Sequence, residues 1–285
     1  MNNKIALITG ASSGLGFETA LLLAEKGYKV YATMRNLDKQ DALKQATEDK
    51  NLNIVIKELD VTKVNSIENA VSDILKEEET IDVLINNAGA GFARTTEHAT
   101  DEEMMWQVNL NLMGVMRMTK AVLPTMRTHR QGHIINISSV GGLVGQPFNE
   151  IYCATKFGVE GYTEALASYV QPEFNVKFSV IEPGGIQSEF TNNLMAHLES
   201  TGGIQDDEYL PLFQSYMGGL KENYGPGSSQ TSAEVAQVIV DTIEKEEPPV
   251  RVRTSAWSED FTRLKTEADP TGKLLQAQVK KLLGK

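Results

Sequence analysis

Apolar residues along the first two thirds of the chain follow two alternating patterns. Short apolar runs recur, and each is followed by a stretch in which apolar residues stand three or four positions apart. The short runs are typical of buried strands, and the wider spacing is typical of helices with one packed face. We predict strands within residues 4–10, 29–34, 53–60, 81–89, 132–139 and 175–185, separated by helices within residues 15–28, 38–50, 63–79, 101–130 and 151–171.

This alternation predicts a parallel sheet with helices on both faces, which is the doubly wound, Rossmann-type α/β class. A helix at 231–247 and a shorter strand at 248–255 continue the pattern and bring the predicted sheet to seven strands. No linker, repeat or low-complexity stretch interrupts the sequence. We therefore expect residues 1–285 to form one domain.

Two segments depart from the alternation. Order weakens over residues 186–230, where glycine and proline are mixed with apolar residues. A helical extension over residues 256–285 is broken near Pro270. Between them, Thr231 or Ser232 is predicted to cap the N-terminus of the helix that follows.

Charge and cysteine content exclude several classes of function. The chain has 285 residues, a formal net charge of −11 and a sequence pI near 5.0. A negative protein is poorly suited to nonspecific nucleic-acid binding, whose affinity comes mainly from neutralised phosphates. The single cysteine, Cys153, permits no intramolecular disulfide, and no apolar run approaches the roughly 18 residues of a membrane span. We expect a soluble cytoplasmic protein without nucleic-acid or membrane partners.

A metal site is also not expected. The histidines show none of the spacings typical of metal ligands: His98, His129, His133 and His197.

A glycine-rich loop joins the first predicted strand to the first predicted helix. It reads ITGASSGLGFE, with glycines at Gly10, Gly14 and Gly16. Glycine lets the backbone turn tightly and approach a phosphate closely, and the helix that follows offers free N–H groups and the positive end of its dipole. A tight strand-to-helix turn is the simpler alternative. The position of the loop after the first strand favours a dinucleotide site.

The loop has the spacing T-G-x-x-x-G-x-G, and it is followed in order by the motifs LDVT (59–62), NNAG (86–89), NLMG (111–114), NISS (136–139), YCATK (152–156) and EPGG (182–185). Together these motifs resemble the short-chain dehydrogenase/reductase family. The resemblance covers about residues 4–190 and is nearest to members that act on hydroxysteroids, retinoids and similar apolar alcohols or ketones. It implies an NAD(P)-dependent oxidoreductase that transfers a hydride between a nicotinamide and a carbonyl carbon.

The resemblance assigns roles to four catalytic residues. Tyr152 is expected to pass the proton of the alcohol/ketone pair, and Ser139 to orient the substrate oxygen. Lys156 is expected to hold the nicotinamide ribose and to favour the phenolate. Asn111 is expected to support a water that leads from the lysine to solvent.

Elementary chemistry supports the tyrosine–lysine pair. A free phenol has a pKa of about 10, and a nearby positive charge lowers it. Tyr152 and Lys156 stand four residues apart, so on a helix they share a face. Taken alone, they are more simply explained as a core tyrosine and a solvated lysine. Ser138 and Asn109 stay open as alternatives to the serine and the asparagine named above.

The same resemblance assigns cofactor and substrate contacts. The substrate contacts are Ser139, Tyr152, Phe190 and Leu194. Cofactor contacts are Thr9, Gly10, Ser12, Ser13, Gly14, Leu15, Gly16, Arg35, Asp60, Val61, Asn87, Ala88, Gly89, Tyr152, Lys156, Pro183, Gly184 and Ile186.

The end of the second strand bears on the choice of cofactor. In the family an acidic residue there accepts hydrogen bonds from the adenosine ribose of NAD. Here that position is Met34, and Arg35 follows it. A guanidinium can pair with a 2′-phosphate through two parallel hydrogen bonds. We therefore expect NADP(H) rather than NAD(H).

Residues 190–225 are expected to form a mobile lid over the nicotinamide. The segment is rich in apolar residues and has few charges facing one way, which favours an apolar carbonyl or alcohol substrate. The alternative is that these residues merely cover the core.

Two other functions are alternatives to the oxidoreductase. A silent NADP-binding redox sensor could keep the fold without turnover, although it need not keep all four catalytic residues. A sugar-nucleotide epimerase or dehydratase also uses a tyrosine and lysine four apart, but needs a larger substrate domain.

Helices at 101–130 and 151–171 carry long apolar faces, so we expect a homodimer or homotetramer.

Overall fold

The protein is described here by a computed structural model that covers residues 4–223 and 228–280. The predicted single domain, lid and C-terminal extension therefore include short stretches outside the described residues. The strands are β1 (Ile5–Thr9), β2 (Lys29–Met34), β3 (Ile54–Glu58), β4 (Val83–Asn86), β5 (Gly132–Ile137), β6 (Val176–Glu182), β7 (Gly185–Gln187), β8 (Ser229–Thr231) and β9 (Arg251–Arg253).

Helices occupy most of the chain between these strands. They are α1 (Gly14–Glu25), α2 (Asp41–Asp49), α3 (Val64–Glu78), α4 (Asp101–Val108), α5 (Gly114–His129), α6 (Glu150–Phe174), α7 (Glu189–Ser200), α8 (Tyr209–Asn223), α9 (Ser232–Glu244), α10 (Ala256–Thr266) and α11 (Lys273–Lys280).

The main sheet has seven parallel strands in the order β3-β2-β1-β4-β5-β6-β9. The predicted Rossmann-type fold is confirmed. After β1 the chain builds outward on one side through β2 and β3, and it then returns to place β4 on the other side of β1. Ligands of such sheets bind at this switch point, beyond the carboxyl ends of the strands.

Each face of the sheet has its own buried apolar layer. In β1, Ala6 and Ile8 pack into one layer with helices α1 and α9, whereas Ile5 and Leu7 pack into the other with α3, α5 and α6. Successive strand side chains point to opposite faces, so a strand covered on both faces must be apolar throughout. The short apolar runs of the sequence have this origin.

The predicted helix at 101–130 is interrupted. Residues Asn109–Met113 form a wider π turn between α4 and α5. Such turns are often found at functional sites, and this one carries one of the four predicted catalytic residues.

The expectation of weak order over residues 186–230 is wrong for most of that segment. It contains α7, α8 and the parallel β7–β8 pair, while residues 224–227 lie outside the described part. Gly202 and Gly203 have φ angles of +94° and +72°, which allow the chain to turn sharply between the two helices. Apolar residues with helical spacing therefore still form helices here, because these glycines lie between the helices and do not interrupt them. We call residues 186–230 the lid segment.

The last elements agree with the predicted boundaries. Thr231 caps α9 through a capping box with Glu234. The predicted terminal helix is split near Pro270 into α10 and α11. Within the described ranges, every helix is too short or too polar to cross a membrane.

Candidate active site

The glycine loop is shaped by close backbone contacts. Gly10 and Gly14 have φ angles of +70° and +57°, a region that L side chains rarely adopt. A Cβ atom on Gly10 would lie 2.9 Å from the Cα of Ala88, and one on Gly16 would lie 2.4 Å from the carbonyl oxygen of Gly10. The loop is therefore packed so tightly against the chain after β4 that these positions need glycine.

Hydrogen bonds tie this loop to the one after β4. Asn87 Nδ2 donates to the carbonyl oxygens of Thr9 and Gly10 at 3.0 and 2.9 Å. Thr9 Oγ1 in turn accepts from the backbone N–H groups of Asn87 and Ala88, both at 3.1 Å. The predicted cofactor contacts from the two motifs thus form one rigid wall at the switch point.

Two helix N-termini meet beside this wall. Ser13 is the N-cap residue of α1 and makes no side-chain cap hydrogen bond, so the first N–H groups of the helix stay available for an anion. Leu15 and Ser12 flank this turn, Leu15 buried and Ser12 partly exposed. A Cβ on Gly14 would lie 3.2 Å from the Cβ of Ser188, which caps α7. Positive dipole ends from two helices favour a pyrophosphate here.

Ser188 was missed by the sequence reasoning. A serine before an apolar periodic run is an N-cap signal, but nothing in the sequence indicated that this cap would reach a loop near residue 14. Pro183, Gly184 and Ile186 lie on the path to it. The carbonyl oxygen of Pro183 accepts from Val140 N at 2.9 Å, and Ile186 lies in β7.

The structure places the residues predicted for the adenosine end at the carboxyl ends of β2 and β3. Met34 is buried at the end of β2, whereas Arg35 is exposed and has no ion pair with any residue in the described ranges. Asp60 accepts hydrogen bonds from Thr62 N and Oγ1 at 2.9 and 2.6 Å. Burial alone would raise the pKa of Asp60, but these bonds and Lys63 lower it. Val61 is buried, and a Cβ on Gly114 would lie 2.9 Å from it.

Asn111 sits in the π turn and holds the loop after β4. Its Oδ1 accepts from Ala90 N, and its Nδ2 donates to Ala90 O, both at 2.9 Å. A Cβ on Gly89 would lie 3.2 Å from Asn111 Oδ1 and 3.8 Å from Lys156 Nζ. These two side chains therefore converge on one point. The side-chain oxygen of the rival Asn109 instead accepts from Arg117 at 2.6 Å.

Ser139 follows β5 and faces the tyrosine. Its backbone is extended, and its Oγ accepts from Gly141 N at 3.0 Å. A hydrogen bond between Ser139 and Tyr152 lowers the pKa of the phenol. The alternative Ser138 is buried and turned the other way, towards Glu160. The structure thus brings together Ser139, Tyr152, Lys156 and Asn111, as the resemblance predicts.

Lys156 is anchored inside the protein. Its Nζ donates to the carbonyl oxygen of Ile137 at 2.9 Å and lies 5.7 Å from the centre of the Tyr152 ring. Only 7 % of the lysine is exposed. It is therefore not the solvated lysine of the simpler alternative.

Burial dominates the electrostatics of this pair. It raises the pKa of Tyr152 to about 12, against a smaller lowering by Ser139. It also lowers the pKa of Lys156 to about 8, against a smaller rise caused by Glu160. By surface area the tyrosine is only partly buried, but its titrating oxygen is surrounded by protein atoms. The expected lowering of the phenol pKa is wrong for the chain by itself, because desolvation of the phenolate outweighs the groups around it.

The lid segment reaches the tyrosine through α7. The rings of Phe190 and Tyr152 are 6.2 Å apart, edge to face. A Cβ on Gly91 would lie 2.9 Å from Phe190 and 3.4 Å from Leu194. Of the two predicted substrate contacts, Phe190 therefore packs against Tyr152, and Leu194 lies near Phe190 beside Gly91. Farther along, Phe148 packs edge to face on Phe213 at 5.2 Å.

A buried arginine fastens the far end of α7. Arg94 donates to Thr201 O at 3.1 Å, to Thr201 Oγ1 at 2.6 Å and to Gly203 O at 3.4 Å. It also pairs with Glu103 at 3.3 Å. Nearby, His197 of α7 stacks on Trp106 at 4.9 Å. No local pattern in the sequence indicates the Arg94–Thr201 contact, because the two residues are 107 positions apart.

Comparison with known proteins agrees with this arrangement. Residues 4–199 match the family described as short chain dehydrogenase. The chain is 40 % identical over 258 residues to 3-ketodihydrosphingosine reductase of Bacteroides thetaiotaomicron, covering 89 % of this chain and 88 % of the relative. It is 37 % identical over 287 residues to human retinol dehydrogenase 8, covering 98 % and 90 %.

A solved structure supports the same relationship. Actinorhodin polyketide ketoreductase with NADPH superimposes with a TM-score of 0.75 at 26 % identity, covering 88 % of this chain and 95 % of that one.

Proposed function

The chain belongs to the short-chain dehydrogenase family, and from that premise we propose that it transfers a hydride between NADP(H) and an apolar ketone or secondary alcohol. It is an NAD(P)-dependent oxidoreductase that acts on CH–OH or C=O groups. The observation that carries the proposal is the convergence of Ser139, Tyr152, Lys156 and Asn111 beside the glycine loop.

The residues present fit a dinucleotide. The glycine loop and the two helix N-termini suit a pyrophosphate, and the buried ammonium of Lys156 suits ribose hydroxyls. When bound, the nicotinamide supplies or accepts the hydride and, in its oxidised form, adds a positive charge that lowers the pKa of a neighbouring phenol.

The chain's own groups handle the proton. For reduction, Ser139 Oγ and the Tyr152 hydroxyl hydrogen-bond the carbonyl oxygen and orient it. As negative charge develops on that oxygen, Tyr152 gives up its proton, and the alcohol forms. The phenolate left behind is stabilised by Lys156, and Asn111 supports the water through which the proton is replaced. Oxidation of an alcohol runs through the same groups in reverse.

The preference for NADP(H) rests on the end of β2. Met34 offers no carboxylate to repel a 2′-phosphate, and the neighbouring Arg35 is exposed and unpaired with described residues. A relative in structure was solved with NADPH. Charge-assisted hydrogen bonds contribute about 1.5–3 kcal/mol, so a roughly ten- to hundredfold preference is expected.

Arg35→Ala should therefore remove most of this preference by weakening NADPH alone. The dissociation constants of NADPH and NADH, measured by fluorescence at one salt concentration, check it. Lys44→Ala, an exposed cation on the next helix, is the matched control. Equal affinities in the unmodified protein, or an unchanged ratio in Arg35→Ala, would count against NADP(H).

An elongated apolar substrate is supported by the lid segment and by the names of two relatives. Phe190 packs on Tyr152, and Leu194 lies near Phe190 beside Gly91, so both offer apolar surface close to the phenol. Phe213 of the lid segment packs on Phe148. The relatives are named for 3-ketodihydrosphingosine and for retinol. We propose that the substrate carries its ketone or hydroxyl near one end of an apolar body.

The test is NADPH consumption with a panel of ketones graded in length and charge. We expect turnover to increase with apolar length. Preference for small charged ketones would contradict the substrate proposal. NADPH binding without consumption of any member would favour the alternative, a redox sensor.

A further inference from the structure

Two buried carboxylates lie together behind the serine. Glu160 stands on α6, one helical turn beyond Lys156, and is 5 % exposed. Glu182 ends β6 and is completely buried. Buried charges are costly unless they are paired and hydrogen-bonded. Neither residue has a part in the proton transfer described above, so their presence here needs a separate explanation.

Glu160 faces Ser138, the residue before the substrate-orienting serine. A Cβ on Gly142 would lie 2.5 Å from Ser138 Oγ and 2.9 Å from Glu160 Oε1, so both polar atoms crowd the same point. Ser138 lowers the pKa of Glu160 and Glu182 raises it, so both groups lie close enough to interact with this carboxyl. The hydroxyl and the two carboxyl groups therefore form one cluster.

The cluster has more acceptors than donors. Among the described residues, Ser138 Oγ, both oxygens of Glu160 and Oε1 of Glu182 lack a well-aligned hydrogen-bond partner. An ionised carboxylate only accepts, but a protonated one also donates. One proton on the two carboxyl groups would supply the donor that these clustered oxygens lack. The oxygen that carries this proton is then the one that donates.

The surrounding charges do not neutralise two carboxylates. Arg253 donates to Glu182 Oε2 at 3.1 Å, but it is shared with Glu259, also at 3.1 Å. Burial, followed by the charge of Glu182, raises the pKa of Glu160 well above its usual value, and burial raises that of Glu182 to about 7 despite Arg253. The charged groups that face the pair are Lys156 and Glu164 on α6, Arg251 and Arg253 on β9, and Glu259 on α10.

The same cluster adjoins the backbone that carries Ser139. Ser138 N donates to Ile181 O at 2.8 Å, and Val140 N donates to Pro183 O at 2.9 Å. Ser139 is thus held between two backbone bonds to the strand end that bears Glu182. A change in the Ser138 side chain or in Glu182 is transmitted to the serine through this short segment.

We propose that Glu160 and Glu182 share one proton at neutral pH, and that this carboxyl–carboxylate pair, acting through Ser138, positions Ser139 for the substrate. Glu160 is a positioning residue, because it acts through others and touches no reacting atom. The shared proton also keeps a second negative charge out of the interior beside Lys156. The inference rests on the proposed role of Ser139.

The protonation of the pair is tested without substrate. We expect infrared spectra of the full chain at pH 7 to show a protonated carboxyl band that Glu160→Gln removes. Glu164→Gln is the matched control, since Glu164 lies one turn further on α6 and pairs with Arg251 at 3.1 Å. Spectra of the unmodified protein and Glu160→Gln that are identical in this region would overturn the proposal.

Thermal unfolding provides a second readout. A free glutamic acid has a pKa of about 4.3, and the pair has higher pKa values in the folded protein. At pH values between these, the folded protein binds more protons than the unfolded chain. Stability from the pair therefore falls as pH rises above about 4.3, and it keeps falling through about 7, where Glu182 titrates, until the shared proton is lost. Glu160→Gln, which cannot lose a proton, should flatten this decline in melting temperature. An unchanged decline would contradict the shared proton.

Kinetics separate positioning from mere support of the fold. With a ketone that is turned over, Glu160→Gln should stay within about threefold of the unmodified kcat, because an amide also donates. Glu160→Ala should lower kcat by about tenfold to hundredfold, the scale of a misplaced group, with NADPH affinity unchanged. If Glu160→Ala does not fold, the glutamine variant still decides: a loss of kcat in it as large as that of Ser139→Ala overturns the positioning role. Failure here leaves hydride transfer itself standing.

Discussion

Burial disfavours the charged form of both Tyr152 and Lys156. It raises the pKa of the phenol to about 12 and lowers that of the ammonium to about 8. The site therefore stores unfavourable free energy in groups that a fold alone would not bury. This is the usual signature of a functional site, where ionisable groups sit in environments that perturb them.

Replacing the phenol should separate binding from chemistry. Tyr152→Phe removes only the proton-transferring oxygen, so we expect NADPH affinity to be retained and kcat to fall by about 10²–10⁴-fold. Fluorescence titration and steady-state kinetics measure the two. Tyr169→Phe, an exposed tyrosine on the same helix, serves as the control. Near-normal turnover of Tyr152→Phe would show that another group passes the proton.

Replacing the ammonium should stabilise the fold and abolish turnover. The native pKa of Lys156 is about 8 and its unfolded value is about 10.4. The cost of burying the charge is thus fully present below pH 8 and is relieved as pH rises from about 8 to 10.4. Lys156→Met should raise the free energy of unfolding at pH 7 by about 1–3 kcal/mol, and this gain should shrink by pH 10.

Denaturant unfolding at pH 7 and pH 10 checks this prediction. Lys39→Met, which replaces an exposed lysine, should change stability little at either pH. A destabilised Lys156→Met would mean that the bond to Ile137 O outweighs the desolvation of the charge.

Helix α7 of the lid segment is held by specific contacts at both ends. Near Ser188 it meets the glycine loop, and near Thr201 it is fastened by Arg94. Phe190 lies between these points, against Tyr152. An element fixed at its ends and apolar in its middle is suited to cover a substrate and exclude water during the reaction.

Loosening the C-terminal end of α7 should weaken substrate binding more than chemistry. Arg94→Met keeps much of the apolar stem but removes the bonds to Thr201 and Gly203, so we expect KM to rise about tenfold or more while NADPH affinity is unchanged. It should also speed proteolytic cleavage within α7 and α8. Arg127→Met, which removes an arginine that stacks on Phe174 at the surface, is the control. Unaltered KM and cleavage would contradict a fastening role.

The whole molecule presents apolar side chains outside its two core layers. Met105, Met113, Phe157 and Tyr169 of the α4–α6 region are each more than a third exposed. Other methionines of the same stretch, such as Met118, are completely buried in the core. Apolar side chains exposed on a negative, otherwise polar surface are typical of an interaction site, here with a second copy of the chain.

We therefore predict a homodimer or homotetramer at micromolar concentration. Static light scattering measures the mass directly, against 31.3 kDa for one chain. Phe157→Glu combined with Tyr169→Glu should shift the mass towards the monomer. Leu264→Glu, at an exposed leucine of α10, should leave it unchanged. A monomer for the unmodified chain would refute the prediction.

The sequence by itself was enough to predict the seven-stranded sheet and most element boundaries. Strands buried on both faces must be apolar throughout, and helices must repeat apolar residues every three or four positions. The spacing of apolar residues therefore shows which positions are buried and in which kind of element. The motifs likewise predicted the residues that meet at Gly89 and Tyr152. These are local patterns, each readable within about ten residues.

Only the tertiary structure decided the rest. Ser188 reaches Gly14, Arg94 reaches Thr201 and Glu160 reaches Glu182 through contacts between distant segments. The direction of the Tyr152 pKa also depended on how completely the fold surrounds the phenol. Desolvation and pairing are sums over neighbours in space, and a periodic pattern along the chain does not specify which neighbours those are.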